Sequence, residues 1–263
     1  MIDDDVDNAE SKFTRRHFAG VSAVGVAALA AVNSSDARAT PESKSNKMFI
    51  KPGAAILFQG DSITDCRRKR DVAEPNLQAA LGDGYAWLAA SQLLVDRPDD
   101  QLNIFNRGIS GNKVPQLGER WKADCLDLKP DIVSILVGTN DIWHTLEKSY
   151  DGTPTKYENG YRKLLEQTKA TLPDVRLVIC EPFVLRCGLV DGVWFPAFDK
   201  MRAAAKRLAH EFQAAFVPFQ AMFDTAAKVA PPERWAADGV HPTADGAALM
   251  AHTWRRVVDG TPS

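Results

Sequence analysis

Residues 54–65, Ala54-Ala55-Ile56-Leu57-Phe58-Gln59-Gly60-Asp61-Ser62-Ile63-Thr64-Asp65, hold the pattern on which the fold turns. Apolar side chains run without interruption from Ala54 to Phe58, and a glycine follows at position 60. So short a continuous run, closed by a turn residue, predicts a strand buried on both faces. The pattern recurs at Leu102–Phe105 before Asn106-Arg107-Gly108, at Asp131–Val137 before Gly138, and at Val175–Cys180 before Glu181-Pro182. A weaker copy stands at Ala215–Pro218. Between these runs lie helical patterns over Gly84–Leu94, Val114–Leu126, Tyr157–Thr171, Phe198–Phe212 and Ala244–Val258. Buried strands alternating with helices predict a parallel sheet covered on both faces, hence one α/β domain of three layers.

Composition agrees with a globular chain. The sequence has 263 residues, 45% apolar and 25% charged, which excludes a disordered tail, a collagen-like fibre and a multi-span membrane protein. The formal net charge is −2, from 32 basic against 34 acidic residues, so no basic excess exists to attract nucleic acid. Four cysteines are too few for a disulfide scaffold. Cys180 and Cys187 are near enough in sequence to close a small loop; free buried thiols fit equally well.

The N-terminus reads as an address. Thr14-Arg15-Arg16-His17-Phe18 carries an arginine pair, an apolar stretch runs from Phe18 to Val32, and Ala37-Arg38-Ala39 supplies small-x-small cleavage spacing. The apolar stretch is too short to span a bilayer comfortably. The order of parts resembles a bacterial Tat export signal, which is read by a receptor and is no stable membrane anchor. It implies export by the Tat machinery and a periplasmic or secreted enzyme. Residues 1–39 would be the signal, 40–52 a Pro-, Ser- and Lys-rich linker, and 53–260 the folded domain. Cleavage after Ala39 removes more acids than bases and leaves the mature chain formally neutral.

Polar residues cluster where strands end, the side of an open parallel sheet on which ligands bind. Ser62 follows the first strand with glycine two positions before it; position 64 is Thr, so this is not the G-x-S-x-G elbow. A helix-capping serine fits the same pattern. Gly108-Ile109-Ser110-Gly111-Asn112 follows the second strand and suggests a turn of positive φ whose N–H could face an anionic oxygen, or an ordinary turn. Asn140, after the third strand, offers an amide donor or an Asx turn. Asp238, three residues before His241, could hold one ring nitrogen and free the other as a base. His210-Glu211 lacks a second histidine at metalloprotease spacing, and no C-x-x-C pair exists, so no metal is expected.

Gly60-Asp61-Ser62, Gly111, Gly138-Thr139-Asn140-Asp141 and Asp238-Gly239-Val240-His241-Pro242 resemble, in order and spacing, the four sequence blocks of the SGNH (GDSL) hydrolase superfamily. The resemblance spans positions 60–242. It implies a flavodoxin-like α/β/α sandwich around a parallel five-stranded sheet. It implies Ser62 as nucleophile, His241 as general base and Asp238 as the residue orienting it. The N–H groups of Ser62 and Gly111 and the side chain of Asn140 would form the oxyanion hole. Such chemistry needs no cofactor. An imidazole base works neutral, so activity is expected to fall below about pH 6–7.

The substrate is read less directly. Trp143 and His144 follow the third block, and Phe183, Trp194 and Phe195 follow the fourth strand, positions suited to a substrate rim or to core. The run Arg67-Arg68-Lys69-Arg70 is a solvated face or an attractor of acidic substrate. An exported enzyme of this size and family looks like a carbohydrate acetylesterase. A broad lipase-like acylhydrolase, or an idle polysaccharide-binding module, are the other readings.

Overall fold

All five apolar runs form strands in the computed structural model, which describes residues 50–260. They are β1 (Ala55–Gly60), β2 (Asn103–Asn106), β3 (Ile132–Leu136), β4 (Arg176–Cys180) and β5 (Ala215–Val217). Every pairing is parallel, in the order β2-β1-β3-β4-β5. The helices are α1 (Ser62–Asp65), α2 (Gln78–Leu81), α3 (Tyr85–Asp96), α4 (Val114–Trp121), α5 (Thr139–Leu146), α6 (Pro154–Thr171), α7 (Ala197–Glu211), α8 (Phe219–Ala226), α9 (Pro232–Trp235) and α10 (Ala244–Val258). The helical pattern expected over Val114–Leu126 divides: α4 stops at Trp121 and one π turn carries the chain through Lys122–Leu126.

Alternation along each strand sorts the core into two halves. Ile56, Phe58, Ile132 and Leu136 pack with α3, α8 and α10. Leu57, Val133, Ile135 and Ile179 pack with α4, α6 and α7 on the other face. Two hydrogen bonds between buried side chains tie helices into this core. Trp254 of α10 donates its ring N–H to Ser134 Oγ of β3 at 2.9 Å, and Trp121 of α4 donates to Thr168 Oγ1 of α6 at 2.9 Å. This is the three-layer α/β/α sandwich with a flavodoxin-like sheet that the sequence leads one to expect.

The folded body begins earlier than residue 53. Ile50 is buried in the α3/α10 half of the core, and its carbonyl accepts from Arg97 Nη2 at 2.6 Å. Met48-Phe49-Ile50 is an apolar run of only three residues, too short to show a period, so the docking of Ile50 could not be read from the sequence. The expected signal at 1–39, and positions 40–49 of the expected linker, lie outside the described residues. All four cysteines are free thiols. Cys180 lies in the core against Ser134, and Cys187 directs its Sγ at the Ala236 carbonyl at 3.2 Å, so no Cys180–Cys187 loop closes. Among the described residues no helix is long and apolar enough to cross a membrane.

From β1 the chain crosses to β2 on one side, and the next strand, β3, pairs with the other side of β1. Above the carboxyl ends of β1 and β3 the connections therefore diverge and leave a crevice. Gly60 and Gly138 end these two strands at its floor.

Candidate active site

The turn after β1 is built around a close approach that excludes a side chain. A Cβ on Gly60 would lie 2.3 Å from the Leu136 carbonyl oxygen of β3 and 2.5 Å from Thr64 Oγ1. The next residue, Asp61, caps α1 by accepting from the Ile63 N–H at 3.1 Å. The cap is therefore Asp61, and Ser62 is released from that role. Its Oγ lies 2.9 Å from His241 Nε2, across 179 positions of sequence.

His241 is fixed from behind. Asp238 Oδ2 lies 2.7 Å from its Nδ1, and Asp238 Oδ1 accepts the backbone N–H of Val240 at 2.9 Å and of His241 at 2.7 Å. Partial burial acts to raise the Asp238 carboxyl. The hydrogen bonds from the His241 ring and from these two amides outweigh it and hold the group below the ordinary carboxylate range. An ionised Asp238 at Nδ1 keeps the ring proton there and leaves the Nε2 lone pair facing Ser62. The neighbouring loop clamps this turn, with Leu185 N–H donating to the Gly239 carbonyl and Leu189 N–H to the Asp238 carbonyl, both at 2.8 Å.

Gly111 and Asn140 reach the same crevice from the ends of β2 and β3. Asn112 N–H donates to the Ile109 carbonyl at 3.1 Å, closing a turn in which Gly111 takes φ +80°, a value suited to glycine at the third turn position. Asp65 of α1 pins this turn: its Oδ2 accepts from Ser110 N at 2.9 Å and Ser110 Oγ at 2.8 Å. Asn140, buried in the first turn of α5, donates from Nδ2 to the Asn112 carbonyl at 3.3 Å. Among the described residues, the amides of Ser62 and Gly111 donate to no protein acceptor. The structure thus brings Ser62, Asp238, His241, Gly111 and Asn140 to one place.

Two carboxyls lie beneath it. Burial pushes Asp61 up to about 7, against the pull of the Ile63 amide and the His241 ring. Burial likewise pushes Asp141 up to about 7, against the Val114 N–H that it accepts at 3.3 Å, and the nearby Asp61 adds to the rise.

The rim differs in part from expectation. The Trp143 ring lies 6.1 Å from that of His241 and meets Trp194 edge-on at 5.8 Å. Phe183 is fully buried between Phe219 and Phe223 and belongs to the core. Phe195 is covered by the Arg186 guanidinium at 3.7 Å. The run Arg67–Arg70 is exposed at Arg67, Lys69 and Arg70, but its three arginines have partners within the chain. Arg68 is buried and donates to the Gly108 carbonyl at 2.8 Å, Arg70 pairs with Asp65, and Arg67 pairs with Asp83 at 3.1 Å. A basic run cannot show in sequence which distant carboxylates and carbonyls will take it up. His144 is half-buried, with Lys113 Nζ at 2.9 Å from its Nδ1. Lys113, which the sequence reading passed over, is buried there; a lone lysine after a glycine turn reads as solvated. Among the described residues no group of three or more His, Cys, Asp or Glu side chains is arranged to hold a metal ion.

The model of the GDSL-like lipase/acylhydrolase family matches residues 58–249. An acetylxylan esterase from Geobacillus stearothermophilus is 34% identical over 215 residues, covering 80% of this chain and 96% of that protein. Its solved structure superposes with a TM-score of 0.73 at 33% identity, over 80% of this chain and 96% of that one. Two further structures are of catalytic mutants of that esterase, one with a serine and one with a histidine replaced by alanine. A GDSL-like lipase from Parabacteroides merdae superposes with a TM-score of 0.80 at 48% identity, covering 82% of this chain and all of that one.

Proposed function

The chain belongs to the GDSL-like lipase/acylhydrolase family and is a serine carboxylic ester hydrolase; from that premise we propose that it removes acetyl groups from a carbohydrate. The observation that carries the acetyl reading is the size of the cavity touching both Ser62 and His241. It measures about 50 Å³ and is lined by Ile63, Cys66, Gly84, Tyr85, Pro242 and Ala247 as well. A cavity of about 10–15 Å³ on this scale holds one water, so this space has room for a few waters or a short acyl group. The similarity to an acetylxylan esterase supports the carbohydrate half of the reading.

In this proposal Ser62 Oγ attacks the ester carbonyl while His241 Nε2 takes its proton. Asp238 stabilises the imidazolium so formed. Negative charge develops on the carbonyl oxygen, and the N–H groups of Ser62 and Gly111 and the Asn140 amide are the donors that receive it. As the tetrahedral intermediate collapses and its C–O bond to the sugar breaks, the His241 imidazolium gives this proton to the departing sugar oxygen, which leaves as a hydroxyl. Water, activated by the same ring, releases acetate from Ser62. Trp143, packed beside His241, would offer a face to the sugar.

The test is hydrolysis of p-nitrophenyl acetate, butyrate and octanoate by the full chain and by Ser62→Ala. Acetate turnover should drop at least about 10³-fold in the variant. Turnover in the parent should fall steeply from acetate to octanoate. Octanoate hydrolysed as well as acetate would replace the acetyl reading with that of a broad acylhydrolase. We further propose, from the arginine pair and the cleavage spacing, that residues 1–39 direct the enzyme through the Tat machinery out of the cytoplasm. Activity confined to the cytoplasmic fraction of a Tat-competent bacterial host would overturn this.

A further inference from the structure

Asn140 and His144 are four residues apart on α5 and so lie on one face of that helix, one turn from each other. Asn140 reaches the loop after β2 through the Asn112 carbonyl at 3.3 Å, and His144 reaches the next residue of the same loop, Lys113, at 2.9 Å. Lys113 is buried, and its ammonium also lies over the Tyr150 ring, 5.2 Å from the centroid. The pair thus borders the crevice beside the proposed oxyanion donors.

An ammonium has only protons to offer. Its contact with His144 Nδ1 therefore requires the lone pair there, and a neutral ring must then carry its proton on Nε2. Among the described residues Nε2 has no partner. Partial burial and the Lys113 charge both act to keep the ring neutral, against a smaller opposing pull from Glu147 on its own helix. Asp141, the remaining titratable group of this cluster, accepts from the Val114 amide; burial raises its carboxyl and the Lys113 charge acts against the rise.

We propose that Lys113 is a positioning residue that holds His144 as the neutral Nε2–H form, and that His144 donates this proton to a hydroxyl or ring oxygen on the alcohol side of the ester. The device selects esters whose alcohol carries a second oxygen near the acyl group, as a partly acetylated sugar does, over simple aryl or alkyl esters. It rests on the carbohydrate reading above and adds the residues that would recognise the sugar.

The experiment compares kcat/KM on an acetylated xylo-oligosaccharide and on p-nitrophenyl acetate, which has no such hydroxyl, for the full chain, His144→Leu, His144→Gln and Lys113→Met. A lost neutral hydrogen bond corresponds to about a tenfold change. His144→Leu should therefore lose about tenfold more on the sugar ester than on the aryl ester, mostly through KM. His144→Gln, which keeps an N–H donor near the Nε2 position, should narrow the gap. Lys113→Met should reproduce it. Nitrogen-15 NMR of the imidazole should show the Nε2–H form in the parent, and in Lys113→Met a mixture of tautomers that takes up a proton at higher pH. Equal losses on both esters, or a parent ring protonated on Nδ1, would overturn the proposal. A parent that cleaves the aryl ester but no acetylated sugar would overturn the carbohydrate reading instead, and the NMR comparison would still decide the Lys113–His144 arrangement by itself.

Discussion

A single side chain separates the binding and the chemistry of this site. Asn140 is placed by its own backbone, buried in the first turn of α5, and its amide is oriented by the Asn112 carbonyl at 3.3 Å. If it stabilises charge that exists only in the transition state, its removal should slow the chemical step and spare ground-state binding. Asn140→Ala should lower kcat about 10²–10³-fold with KM changed only a few-fold, which steady-state kinetics on an acetate ester will measure. A rise in KM at constant kcat would move Asn140 from the oxyanion hole to substrate binding. At this scale the sequence was most legible for residues that sit just past a strand, because strand ends can be located from apolar runs. Ser62, Gly111 and Asn140 are of this kind. Lys113 and the partners of Arg68 and Arg70 were not legible, since their roles depend on groups that only the folded chain brings near.

Among elements, the short helix α1 has an importance out of proportion to its four residues. Its last residue, Asp65, holds the turn that carries Gly111 through two hydrogen bonds from Ser110, and it takes the Arg70 guanidinium as well. Burial acts to raise this carboxyl, but Arg70 and Ser110 overcome it and hold it below its ordinary range. Asp65→Ala would leave Ser110 and Arg70 short of a partner. We expect a loss of about 1–3 kcal/mol in urea unfolding, together with a lower kcat as the Gly111 turn loosens. Ser110→Ala, which removes only the hydroxyl, should cost less on both measures. Such links escape sequence reading because helices of four to eight residues, α1, α5 and α8 among them, hold too few turns to show a period. The longer α10 was read at the limits it has, Ala244–Val258.

Over the molecule as a whole, the two carboxyls under the site set a pH dependence of stability. Asp61 and Asp141 are both raised to about 7 in the folded state, whereas an unfolded aspartate titrates near 3.9. Between these values the folded chain binds more protons than the unfolded one, so stability is greatest below about pH 4 with respect to this pair and declines as pH rises towards 7. Asp65 and Asp238 are lowered, so their contribution has the opposite sign and is lost in a more acidic range. Thermal unfolding at steps from pH 4.5 to 7.5 should show Tm falling in the parent, and a shallower fall in Asp141→Asn. Parallel slopes would mean that Asp141 is not protonated in the folded state.

Ser62 and His241 stand 179 positions apart and meet only through Oγ and Nε2. During synthesis the first can be in place just past β1 long before the second has left the ribosome. A nascent or truncated chain ending before residue 241 holds all five strands and lacks the proposed base. With Ser62 and His241 as the proposed nucleophile and base, ester cleavage appears only after the segment carrying His241 has been made and has docked, later than the sheet itself.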